Sequence, residues 1–165
     1  MTYPEALEYI YAQLPMFHRI GSAAYKPDLG NIGLLCDLLG NPQKRIRTIH
    51  VAGTNGKGSV SHMLASIFME CGFRTGLFTS PHLKDFRERI RVNGRMIPKK
   101  RVAAFIGEHQ KVFEEIRPSF FEMTAALAFT FFEEEKTEIA VIETGMGGRL
   151  DSTNVITPEI SVITN

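Results

Sequence analysis

The chain has 165 residues, 44 % of them hydrophobic and 22 % charged, with 19 Lys and Arg against 18 Asp and Glu. A net charge of +1 gives no bulk attraction to nucleic acid or to a membrane surface, and the composition is that of a globular domain. The length suits one domain with a sizeable core, no apolar run reaches the length of a membrane span, and no secretory pattern opens the chain, so the expected location is cytoplasmic.

The elements follow in order. Thr2-Tyr3-Pro4-Glu5 has capping-box spacing, and Leu7, Ile10, Tyr11 and Leu14 continue as a helical stripe stopped by Pro15. Met16 to Gly30 reads as a long ordered loop, either functional or a plain connector. Ile32 to Leu39 is a short helix closed by Gly40 and Pro42. Ile46 to Val51 is a strand, followed by Gly53-Thr54-Asn55-Gly56-Lys57-Gly58-Ser59 and a helix carrying Val60, Met63, Leu64, Ile67 and Phe68 on one apolar stripe. Gly72 ends that helix, and Thr75 to Thr79 is a second strand running into Ser80-Pro81-His82. Arg87 to Val92 and Arg95 to Ile97, joined by Asn93-Gly94, read as a hairpin. A helix spans Lys99 to Ile116, and Ser119 to Glu122 caps a further helix that is apolar on most sides and therefore buried in the core or at an interface. Glu138 to Glu143 is a strand covered on both faces, Thr144 to Asn154 a glycine-containing loop, and Ile160 to Thr164 a last strand. Cys36 and Cys71 fall in helical patterns and read as buried small hydrophobes.

Strands alternating with helices predict an α/β fold with a mostly parallel sheet flanked by helices. Right-handed crossovers then bring Gly53–Ser59, Thr79–His82 and Glu143–Asn154 to one sheet edge, where such sheets bind ligands. The glycine-rich loop suits a phosphate. Its glycines reach φ values other residues avoid, the helix start offers unpaired donors and partial positive charge, Lys57 adds a full charge, and Ser59 offers a hydroxyl to magnesium. The usual P-loop spacing is only partly met, because Thr54 and Asn55 alone separate Gly53 from Gly56 and Gly58 follows Lys57. Glu143, ending a buried strand, reads as a magnesium ligand or as a capping carboxylate, and Ser80 as a second oxygen ligand or a turn residue. Arg149 and Asp151 offer an anion site and an orienting acid, or pair with each other. Arg87, Arg89 and Arg91 face an acidic substrate or keep the hairpin edge soluble. Glu122 reads as the capping partner of Ser119 or as a catalytic carboxylate.

The blocks His50-Val51-Ala52-Gly53-Thr54-Asn55-Gly56-Lys57-Gly58-Ser59, Thr79-Ser80-Pro81-His82-Leu83, Glu88-Arg89-Ile90, and Val141-Ile142-Glu143 with Gly147 to Asn154 resemble the folylpolyglutamate synthase/dihydrofolate synthase branch of the Mur ligases along nearly the whole chain. The resemblance implies a P-loop NTPase-like central domain and an ATP-dependent amide ligase. Such an enzyme phosphorylates a folate or dihydropteroate carboxylate to an acyl phosphate, which the amino group of L-glutamate attacks. It implies that Gly53 to Ser59 bind ATP, that Lys57 and Glu143 act in catalysis, and that Ser59, Ser80 and Glu143 hold Mg2+. His82, Arg89, Arg149 and Asp151 fall to the substrate, with the pterin held between Met16–Gly30 and the loop after Ser80. Family members run to about twice this length or more, so residues 1–165 are expected to be the N-terminal portion of a truncated ATP-binding domain, weakly nucleotide-binding or inactive alone, with exposed surfaces open to self-association. Two other readings stand beside it: a compact P-loop kinase or NTPase, and a non-catalytic binding module using the apolar Phe120–Phe132 helix.

Overall fold

A computed structural model describes residues 1–14 and 28–165. It contains helices α1 (Tyr3–Ala12), α2 (Gly30–Leu38), α3 (Lys57–Glu70), α4 (Lys99–Ile116) and α5 (Phe120–Glu134), and strands β1 (Arg47–Ala52), β2 (Thr75–Phe78), β3 (Ile90–Val92), β4 (Arg95–Met96), β5 (Ile139–Glu143) and β6 (Ile160–Ile163). Most of the Met16–Gly30 loop expected at the pterin lies outside the described residues.

The strands form one sheet in the order β4-β3-β2-β5-β1-β6. From β2 to β6 every neighbouring pair is parallel, and the β3–β4 hairpin is added antiparallel to β2. The hairpin turns at Asn93 and Gly94, both with positive φ, as a two-residue turn matched to strand twist requires. Short-range signals set the helix starts. Thr2 with Glu5 and Ser119 with Glu122 each form reciprocal capping boxes, which assigns Glu122 to its cap.

Side-chain alternation divides the core in two. On one face Phe78, Ala140 and Ile142 meet α5, over which α1 and α2 pack, with α4 set against α1. On the other, Leu77, Ile139 and Val141 meet α3 alone, through Val60, Leu64, Ala65 and Phe68. The apolar stripe expected on α3 is therefore rotated. Met63 and Ile67 stay exposed, and Ser61 takes a buried position. Helix α5 is the core helix that its composition calls for, buried on most sides within this chain. Its acidic end is paired, Glu133 with Arg45, Glu134 with Arg101 and Glu135 with Arg74. Cys36 is buried as expected, whereas Cys71 is exposed, because it caps α3 at the surface. Arg87 to Arg89 belong to a 3-10 turn, and the strand begins only at Ile90. Among the described residues no helix is long and apolar enough to cross a membrane.

Candidate functional site

Parallel pairing of β2, β5 and β1 sets the three equipped loops side by side at the carboxyl edge of the sheet. Alternation along β5 puts Ile139, Val141 and Glu143 on the α3 face, so the strand ends by presenting its carboxylate beneath the start of α3.

The glycine-rich loop is shaped by two close constraints. At Gly53, with φ 137°, a Cβ would stand 2.6 Å from the carbonyl oxygen of Thr164, so only glycine lets the loop pass the end of β6. Gly56, with φ 81°, caps α3. The N–H groups of Thr54 and Asn55 donate to the Asn165 carbonyl at 3.2 and 2.6 Å. Those of Gly56, Lys57, Gly58 and Ser59 have no acceptor among the described residues, and the first intrahelical bond is from Val60 N–H to Gly56. Four orphan donors at a helix start form an anion site. The Lys57 ammonium donates to the carbonyls of Gly53 (2.8 Å) and Thr54 (3.3 Å), at the mouth of the same loop.

A cleft of about 280 Å³ opens beside this helix start, with Gly58, Ser80 and Glu143 in its wall. The Ser80 N–H donates to Glu143 Oε2 at 2.9 Å. Glu143 Oε1 faces Gly58, where a Cβ would sit 3.7 Å from it. Gly58, not Ser59, is thus the loop residue beside the carboxylate, and the exposed Ser59 is outside the cleft wall. Burial raises the pKa of Glu143, against the Ser80 N–H, Lys57 and Arg89, which favour its charge. A buried carboxylate with one oxygen tied to backbone, a neighbouring serine and adjacent phosphate donors is a donor set that suits magnesium, which takes one or two carboxylates and completes its shell with phosphate and water. Among the described residues there is no cluster of three or more His, Cys, Asp or Glu.

His82 and Arg89 form one unit. Arg89 is buried, stands 5.0 Å over the Phe120 ring and donates from Nε to His82 Nδ1 at 2.8 Å. A guanidinium only donates, so Nδ1 carries a lone pair and the ring is neutral with its proton on Nε2, 3.4 Å from the Tyr11 hydroxyl. Burial and then the Arg89 charge lower the His82 pKa, in agreement. Tyr11 in turn stacks on Phe120, 11° from parallel.

Asp151 and Arg149 do not pair. Asp151 is buried and fully bonded: Oδ2 accepts from Gly145 N–H and Met146 N–H, both 2.8 Å, and Oδ1 from Thr153 N–H (3.0 Å) and the Thr153 hydroxyl (2.5 Å). His50 Nε2 lies 2.8 Å from that hydroxyl. With its proton given to Asp151, Thr153 accepts from His50, which fixes the histidine tautomer. The network pins the backbone just beyond Glu143. Arg149 is exposed on the same loop. Arg87 is spent on Asp85 at 2.7 Å.

Sequence reasoning missed His62 and left Arg91 open, and both line the cleft. Arg91 pairs with Leu77 across β2–β3 and so shares the α3 face, where His62 lies. Once the hairpin was read, its register carried that signal.

A model of the Mur ligase middle domain matches residues 51–165. The dihydrofolate synthase/folylpolyglutamate synthase of Bacillus subtilis is 39 % identical over 171 residues, covering 99 % of this chain and 38 % of that protein. The Mycobacterium tuberculosis folylpolyglutamate synthase solved with ADP superposes with a TM-score of 0.87 at 36 % identity, over 98 % of this chain and 36 % of that one. An FPGS–AMPPCP–folate complex superposes with a TM-score of 0.86 at 37 % identity, over 99 % and 40 %. The chain thus spans well under half the length of these relatives.

Proposed function

This chain belongs to the Mur ligase family by its middle domain, and from that premise we propose that it is the N-terminal portion of the ATP-binding domain of an enzyme that joins L-glutamate to a folate or dihydropteroate carboxylate at the expense of ATP. The observation that carries the proposal is the set of N–H groups from Gly56 to Ser59 that have no acceptor among the described residues, on the same edge as the buried Glu143. The relatives' complexes with ADP, and with AMPPCP and folate, support it.

In this reading the loop amides hold the β- and γ-phosphates, and Lys57 leaves its two carbonyls to neutralise charge as the γ-phosphoryl group moves. Glu143 and Ser80 would hold magnesium, which when bound screens the phosphate charge. The Ser80 N–H keeps one carboxylate oxygen oriented, and the bare Cα of Gly58 leaves room before the other. The acceptor carboxylate takes the γ-phosphoryl group, giving an acyl phosphate and ADP. The glutamate amine then attacks the acyl carbon, loses a proton and expels phosphate, leaving an amide. Asp151, through its hold on Gly145 and Met146, sets the backbone that follows Glu143. His82, with Arg89 behind it, offers a neutral Nε2–H on the acceptor side.

Titration calorimetry of the full-length protein with Mg–ATP tests the first step. Lys57→Ala is expected to weaken binding by about tenfold or more, the order of one or two charge-assisted hydrogen bonds. Equal affinities for wild type and variant would remove Lys57 from the phosphate site. Failure of the wild type to form a glutamylated product from ATP, glutamate and either acceptor would refute the ligase reading.

A further inference from the structure

The cleft has a second wall that the phosphate chemistry does not use. Arg91 is half-buried there, and its Nε donates to the Glu88 carbonyl at 3.3 Å, which leaves both Nη groups without a protein partner among the described residues. Glu88 lines the same wall close enough to feel the Arg91 charge, but its carboxylate is committed to other donors. Its two carboxylate oxygens accept from the N–H groups of Leu83, Lys84 and Asp85 at 2.8–3.0 Å, and no Arg91–Glu88 ion pair forms. His62, on the second turn of α3, completes the wall with a further donor. By register Arg91 is level with Leu77 and Val141, two strands from β5 or about 10 Å between backbones, and it lines the same cleft as Glu143.

We infer that Arg91, assisted by His62, is a second carboxylate subsite, selecting acceptors that carry a carboxylate beside the one being activated. The inference rests on the ligase reading above and says which acceptor this chain favours. A glutamyl terminus carries two carboxylates separated by three carbons, so one reaches the Glu143–Ser80 end of the cleft while the other meets the guanidinium, which binds a carboxylate in a planar fork. Dihydropteroate ends in a single carboxylate and leaves Arg91 unused. The subsite therefore favours glutamyl-ended folates over dihydropteroate.

The test is steady-state kinetics of the full-length protein and its Arg91→Met, Arg91→Lys and His62→Gln variants, each varied in dihydropteroate, in a glutamyl-ended folate and in ATP, with melting curves to show that the variants fold. Methionine keeps the apolar stem of Arg91, so folding is expected to survive. Arg91→Met is expected to shift the ratio of kcat/KM between the two acceptors by about tenfold or more against the glutamyl-ended one, through KM, as loss of a charge-assisted contact requires. Arg91→Lys recovers part of the shift, and His62→Gln gives a smaller change in the same direction. An unchanged ratio, or a wild type that accepts dihydropteroate alone, overturns the subsite and leaves the ligase reading standing. A rise in KM for ATP in place of the altered ratio assigns the guanidinium to nucleotide phosphate and also overturns it. A wild type that glutamylates neither acceptor refutes both.

Discussion

Replacing Glu143 by Gln separates what this residue does for the fold from what it does for a ligand. Glu143 is 3 % exposed, and its one protein partner among the hydrogen bonds described is the Ser80 N–H, at 2.9 Å. Glutamine keeps an oxygen for that donor, so the loss is the difference between a charged and a neutral hydrogen bond, about 1 kcal/mol. Relief of the buried charge acts in the opposite direction. Because burial raises the folded pKa above the ordinary carboxylate value, the stabilisation from holding Glu143 protonated is complete below the unfolded pKa and disappears as pH rises through the folded one. Wild type should therefore lose stability relative to Glu143→Gln on going from pH 4 toward neutral, and the difference should then level off. At pH 7.5 the variant is expected to melt within about 4 °C of wild type, or above it. Its affinity for Mg–AMPPCP should fall by about 100-fold, with little change for the nucleotide in EDTA. Melting curves across pH 4–8 and titration calorimetry with and without magnesium read both quantities. A variant that binds Mg–AMPPCP as wild type does, or one that melts far lower at pH 7.5, would refute the reasoning: the carboxylate would then be structural.

Two further substitutions bear on the frame of the site. Gly53→Ala forces a Cβ to within 2.6 Å of the Thr164 carbonyl at a positive φ, so it should cost about 2–3 kcal/mol or displace the loop from β6, seen as a lower denaturant midpoint with weaker nucleotide binding. Thr153→Val leaves Asp151 Oδ1 and His50 Nε2 each short of a partner, at about 1–3 kcal/mol in chemical denaturation, and it should lower kcat more than it raises KM for ATP, since the phosphate donors are untouched. A stability loss with unchanged kcat would make that network merely structural.

How much of this was legible beforehand depends on the range of the signal. The capping boxes of α1 and α5, the Asn93-Gly94 turn and the span of α4 are local, and their residues announce them. The convergence of the loops at Gly53, Ser80 and Glu143 followed from α/β alternation, because parallel crossovers leave few other arrangements. What escaped was the packing decided by distant partners. Met63 and Ile67 fit a helical stripe as well as Leu64 and Phe68 do, and only the position of the sheet selects which are covered. Asp151 looked free to pair with Arg149 because its true partners are backbone amides and a threonine organised by His50. Ser59 drew attention as the hydroxyl of the loop, yet helical geometry turns Gly58 toward Glu143.

The unequal cover of the two sheet faces bears on how the domain breathes. Four helices stacked two deep guard one face, while the other depends on α3 and a handful of apolar contacts. The same helix begins with the amides of Gly56 to Ser59, which have no acceptor among the described residues. Among the described residues the α3 face holds fewer buried apolar side chains than the other, so its local opening is expected to cost less, and an anion bound at the helix start would oppose it by mass action. On the ligase reading, nucleotide occupancy would then become a term in the folding free energy of that face, stiffening it when the loop is loaded.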